Sequence, residues 1–96
     1  MKQTIQKAQH VYIESKKNYC SGRPIIVGTK FPVSSVVNYI LRQGMTPEEL
    51  VRDFPHLCLS HVYDALSFYY DHQKEIDQEI EVNSEIFFKK NDKNDK

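Results

Sequence analysis

The sequence predicts a mainly α domain: three helices in helix-turn-helix order, with a short β element in front and an extended third helix behind. Three observations predict it. Local helix-start and helix-stop chemistry punctuates the stretch from Pro32 to Ser60. Two β-branched runs, His10–Glu14 and Ile25–Val27, precede that stretch and are separated by polar and Gly-Arg-Pro breaks. From Val62 to Ile80 the apolar residues recur at alternating spacings of four and three, the spacing of a helical seam.

The β runs are too short to stand alone. Val11 and Ile13 alternate with Tyr12, and Ile25-Ile26-Val27 ends at Gly28-Thr29. A two-stranded hairpin of this size needs a helical body or another subunit behind it. Phe31 is held extended by the proline after it. Pro32 suits a first helical turn, where its missing N–H costs nothing. Val33, Val36, Val37, Ile40 and Leu41 then form one helical stripe, and Gly44 is the natural stop because glycine accepts the left-handed backbone. Thr46-Pro47-Glu48-Glu49 reads as a capping box with a pre-set proline and acids at the positive helix end. This second helix carries Leu50, Val51 and Phe54, and Pro55 ends it. The third helix is expected to start at Ser60 or Cys58. Its inward positions are Val62, Leu66, Tyr69, Gln73, Ile76 and Ile80. Beyond Asp71 nothing in the same chain is an obvious cover for Ile76 and Ile80, so this half is expected to pack on another chain.

At 96 residues, with 40% hydrophobic and 27% charged side chains, the chain has room for one core. A flexible arm is expected over residues 1–10, the domain over 11–82 and a flexible tail over 83–96. So small a domain gains from a dimer partner. Cys20 and Cys58 make no disulfide framework, and no secretory leader is legible, so reduced thiols in the cytoplasm are expected. No run approaches the roughly 18 apolar residues of a membrane span.

The zero net charge hides an asymmetry. Met1 to Thr46 holds seven Lys or Arg and one acid, Glu14, while the remainder holds twelve acids and six bases. The halves are therefore +6 and −6, which suits two different partners or two ends of one dimer.

Catalytic arrangements are not legible. There is no phosphate-binding glycine loop and no nucleophile elbow, and no cofactor is implied. His56, Cys58 and His61 form an H-x-C-x-x-H fragment, but a closed zinc site needs four ligands. Capping and loop packing account for these residues more simply. The outward candidates on the third helix are Ser60, His61, Tyr63, Asp64 and Ser67. None is Lys or Arg, the usual readers of guanine and phosphate, so any DNA contact falls largely to the basic half, with Arg23 and Lys30 foremost. A plain three-helix core with no nucleic-acid role satisfies the same pattern.

Gly22-Arg23-Pro24 followed by Ile26-Val27-Gly28-Thr29-Lys30-Phe31-Pro32-Val33 resembles the G-[KR]-P and I-x-G-T-R-[IV]-P-V signature of the domain of unknown function 433 family. Gly44-Met45-Thr46-Pro47-Glu48-Glu49-Leu50 resembles its G-M-S-P-E-E-I. Asp53-Phe54-Pro55-His56-Leu57, with Val62 to Leu66, resembles its D-Y-P-H-L-T-x-x-x-[IV]-x-A-A-L. The resemblance runs from about Val11 to Ile80. It implies a homeodomain-like helical fold with an N-terminal β element, a homodimer, and the antitoxin half of a toxin–antitoxin pair. Such an antitoxin neutralises a PIN-like nuclease toxin by direct binding and commonly binds its own promoter. Lys30 stands where the signature has Arg, which turns a bidentate donor into a point charge. Cys58 stands where it has a capping Thr, which favours a helix start at Ser60.

The expected DNA-binding set is therefore Arg23, Lys30, Ser60, His61, Tyr63 and Ser67. The expected partner-binding set is Ile76, Ile80, Ile86, Phe87 and Phe88, set among acids that suit a basic nuclease. Operator DNA, the toxin and a second copy are the expected partners; no membrane or small-molecule substrate is expected. The alternative is a stand-alone protein-interaction module or a dimeric DNA-binding regulator without a toxin.

Overall fold

The structure is a computed structural model that describes residues 10–83. Ile86, Phe87 and Phe88 lie outside the described residues. Within them the architecture is mainly helical, with a small two-stranded antiparallel sheet.

The sheet is smaller than the β-branched runs suggest. Strand β1 (Ile13–Glu14) pairs with β2 (Ile25–Ile26), placing Ile13 opposite Ile26 and Glu14 opposite Ile25. His10 to Tyr12 form a turn instead of strand: Ile13 N–H donates to the His10 carbonyl at 3.1 Å, and Asp64 captures the Tyr12 N–H at 2.8 Å. Ile25 and Ile26 are both fully buried, because the sheet is covered on both faces. A bridge from Ile25 to Pro32 extends the ladder into the next segment.

Helix α1 (Val33–Val37) begins one residue after Pro32, which is the extended N-cap and not the first helical residue. Val33, Val36 and Val37 are buried as the stripe requires. The stripe then loses phase. Asn38–Arg42 is a π turn, closed by Gln43 N–H to the Asn38 carbonyl at 3.0 Å. The extra residue per turn rotates Leu41 out to solvent, where a continuous α-helix would have kept it inward. Gly44, at φ +83°, ends the helix, and Met45 N–H returns to the Tyr39 carbonyl at 3.0 Å, a bond one residue longer than the six-to-one bond of a Schellman close.

Helix α2 (Pro47–Asp53) has the full capping box. Thr46 Oγ1 accepts the Glu49 N–H at 3.1 Å, and Glu49 Oε1 accepts the Thr46 N–H at 2.9 Å. Helix α3 (Leu59–Asp71) starts at Cys58 and not at Ser60. His61 Nδ1 accepts the Cys58 N–H at 3.2 Å, so the imidazole supplies the reciprocal contact that Glu49 supplies in α2.

The largest departure lies at His72. An extended third helix is expected there, but the backbone breaks at φ −136° and ψ 42°. Helix α4 then runs over 73–83, its first turn closed by Ile76 N–H to the His72 carbonyl at 3.1 Å. The break turns the second half back onto the domain. Ile76 and Ile80, expected at a partner interface, are 0% and 5% exposed and join the core of Val36, Val62 and Tyr69. Polar contacts lock α4 in place. Ser34 Oγ donates to Glu79 Oε2 at 2.7 Å. Arg42 Nη2 and the Tyr69 hydroxyl both donate to Asp77 Oδ1, at 3.1 and 2.9 Å. Burying two isoleucines outweighs the few helix bonds lost at the break, each worth only about 1 kcal/mol net.

Candidate macromolecule interface

The two ends of β2 carry the two basic residues expected at DNA. Arg23 precedes it and Lys30 follows it. Before Arg23 the backbone makes a left-handed turn, with φ of 52°, 59° and 74° at Cys20, Ser21 and Gly22. Such backbone is costly for the two non-glycine residues. Arg23 lies half-buried between this turn and α4. Its Nε donates to the Cys20 carbonyl at 3.3 Å, and its Nη1 lies 3.6 Å from Glu79 Oε2, the same oxygen that Ser34 holds. The Arg23 charge is thus directed at its own chain.

Lys30 is placed differently. Ile26 to Thr29 form a tight turn, with Thr29 N–H to the Ile26 carbonyl at 3.0 Å. Gly28 at φ +79° is the residue this turn requires. Thr29 Oγ1 donates to the Ile26 carbonyl at 2.8 Å and accepts the Phe31 N–H at 2.9 Å. Phe31 packs edge-on to Phe54 at 5.0 Å and lies 6.2 Å from the His56 ring. Lys30, exposed, is therefore the chain neighbour of a residue that packs against the loop between α2 and α3, whereas Arg23 packs against α4.

The outward side of α3 has two stripes. The first, His61, Asp64, Phe68 and Asp71, is covered by the turn at residues 10–12. Tyr12 meets the His61 ring edge-on at 5.0 Å. His10 lies 3.3 Å from Asp64 Oδ1 and 2.8 Å from Asp71 Oδ2, with its ring edge-on to Phe68 at 5.2 Å. Asp64 is consequently not the free outward acid that the sequence suggests. Its carboxylate is engaged by the His10 ring and the Tyr12 N–H, which the sequence could reveal only if this long-range pairing were known. The second stripe, Ser60, Tyr63, Ser67 and Tyr70, is exposed and uncharged. Val11, Tyr12, Val27 and Leu59 are also exposed apolar side chains, and Tyr12 accepts the Val27 N–H at 2.8 Å, which holds the hairpin tip beside this end of α3.

Among the described residues no three His, Cys, Asp or Glu side chains gather as a metal site. His56 turns toward Phe31 and Phe54, whereas His61 turns to Cys58. Nor does any described helix have the length and apolarity to cross a membrane. A groove of about 500 Å³ runs between the left-handed turn and α4, lined by Ser21, Arg23, Glu75, Gln78 and Glu79 among others. Its walls mix both charges.

No curated protein matches the chain. A crystal structure of a DUF433 member protein from Anabaena variabilis ATCC 29413 is similar in fold, with a TM-score of 0.68 and 30% identity over 80% of this chain and 74% of that one. The family described as "Protein of unknown function (DUF433)" matches residues 13–69, a span that includes the Gly22-Arg23-Pro24 turn, the Gly28-Thr29-Lys30 tip, both helix caps and most of α3. The chain belongs to the DUF433 family.

Proposed function

We propose that this protein is an antitoxin-type homodimer, a homeodomain-like helix-turn-helix domain that neutralises a basic PIN-like nuclease by direct contact and binds its own operator DNA. The observation that carries the reading is the outward side of α3 with the adjoining hairpin tip. It presents tyrosine, serine, leucine and valine to solvent, a surface suited to a macromolecule and not to small-molecule chemistry.

Within this reading Lys30 is the principal phosphate contact, since its side chain is exposed while Arg23 is paired with Glu79. Arg23 reaches phosphate only by leaving Glu79. Tyr63 and Ser67 have no cation beside them on α3, which favours protein over DNA as their neighbour. The acidic side of the molecule meets the toxin. Asp77 and Glu79 are engaged internally, so Glu75 and Glu81, both exposed on α4, carry the charge complementarity, with Ile86, Phe87 and Phe88 as apolar anchors.

The test is co-expression with a nuclease encoded in the neighbouring reading frame, and fluorescence anisotropy on the chain's own upstream DNA. The expected results are rescue of growth, and binding that weakens steeply with salt. Replacing Lys30 with Ala lowers affinity for every sequence and flattens that salt dependence. No rescue and no binding at low salt would leave the alternative, an interaction module without toxin or operator.

A further inference from the structure

We propose that the turn at residues 10–12 is a pH-sensitive strap over α3, closed while the His10 ring carries its second proton and loosened when the ring is neutral. The proposal concerns the domain alone and stands apart from the toxin and the operator of the reading above.

The strap is short, and polar contacts hold it. Ile13 N–H closes the turn on the His10 carbonyl at 3.1 Å. Val11 is 61% and Tyr12 39% exposed, so neither buries enough apolar surface to fix the turn on α3. The His10 side chain is only 12% exposed. Its Nδ1 lies 3.3 Å from Asp64 Oδ1, and its Nε2 lies 2.8 Å from Asp71 Oδ2. Asp64 Oδ2 in turn accepts the Tyr12 N–H at 2.8 Å.

A count of donors ties this geometry to protonation. A neutral imidazole, in either tautomer, has one N–H and one bare lone pair. Set between two carboxylates, it leaves that lone pair facing an oxygen, which repels it. Only the imidazolium donates from both nitrogens, and both bonds are then charge-assisted. The neutral ring keeps one of the two bonds, and the strap is left with that bond and the Tyr12 N–H.

The other titratable groups around the ring have partners of their own. His72, where α3 gives way to α4, stacks on Phe68 at 4.2 Å, the same ring that His10 meets edge-on at 5.2 Å. Its Nδ1 lies 3.2 Å from Glu75 Oε1. His61 meets the Tyr12 ring at 5.0 Å, and its Nδ1 accepts the Cys58 N–H. Among the described residues, His10 is the one basic side chain paired with Asp64 and Asp71.

The direction follows. The strap holds fully where the ring is charged and both carboxylates are ionised. It loosens as pH rises through about 5 to 8, the range in which histidine loses its proton. It loosens again below about pH 4, where aspartate gains one. Opening bares the stripe of His61, Asp64, Phe68 and Asp71. It also leaves two unbalanced negative charges on α3 where the closed strap leaves one, which makes this side more repellent to a polyanion.

The test is solvent-exchange NMR on the full chain, with the Tyr12 amide rate divided by its intrinsic rate at each pH. Between about pH 5.5 and about pH 8, protection of this amide is expected to fall at least about threefold, half a decade of differential binding between the two ring states. The fall should track the His10 ring resonance, while the Val36 and Val37 amides keep their protection. His10→Gln has a neutral side chain at every pH, so its Tyr12 protection is expected to be low and flat. Protection in the parent that does not change with pH overturns the strap. So does a fall that persists in His10→Gln, because His61 or His72 would then be the group that titrates.

Discussion

Replacing Ile76 with alanine tests the fold-back at His72 directly. Ile76 is fully buried and packs within the chain's own core. The change removes three carbon groups, worth about 2.4 kcal/mol at about 0.8 kcal/mol each. The cavity left behind adds to this, because α4 is held by Ser34, Arg42 and Tyr69 and cannot simply slide inward. The expected loss is about 3–4 kcal/mol. With a urea slope of about 1–1.5 kcal/mol per molar for so small a domain, the unfolding midpoint falls by about 2–4 M. The assay is urea unfolding followed by far-ultraviolet circular dichroism, repeated at a low and a high protein concentration. A core residue gives the same loss at both. A residue at an interface between copies gives a loss that depends on concentration. A drop below about 1 kcal/mol, or one confined to the high-concentration series, refutes the fold-back and returns Ile76 to a partner surface.

Three further changes probe the local devices. Thr46→Ala removes one half of the capping box and is expected to cost about 1 kcal/mol in the same assay; no loss would mean that water replaces the cap. Cys58→Thr puts an oxygen at the N-cap of α3, where no side-chain oxygen now serves, and is expected to raise stability by about 0.5–1 kcal/mol, seen as a higher urea midpoint. A fall would show that the Cys58 N–H to His61 contact depends on the thiol. Asp64→Ala frees the turn at residues 10–12, so the Tyr12 amide should exchange faster with solvent while the amides of α1 stay protected. Equal acceleration in both would mean that Asp64 supports the whole core.

Much of the fold is legible because its signals are local. The Thr46–Glu49 box and the Gly44 stop act within a few residues. The Gly28 turn does so as well, and each forms as its residues imply. The charge asymmetry and the uncharged face of α3 are equally plain in the residue order. Other features of the candidate interface are invisible there. Arg23 and Lys30 look equivalent in sequence, yet one faces Glu79 and the other solvent. Asp64 looks free, yet His10, far away along the chain, encloses it.

The break at His72 shows where local signals end. An apolar spacing of four and three is kept by a straight helix, and it is kept equally by two helices joined at one non-helical residue. The residues from Val62 to Ile80 therefore determine which side chains are inward, and they do so correctly for Val62, Tyr69, Ile76 and Ile80. They do not determine what those side chains face. That is decided by contacts between distant segments, Ser34 with Glu79 and Arg42 with Asp77, because burial energy depends on the surface that covers a residue and not on its neighbours in the chain. The π turn at Asn38–Arg42 has the same origin: propensity alone favours continuing the α-helix, and only the packing of the finished domain decides that Leu41 swings outward.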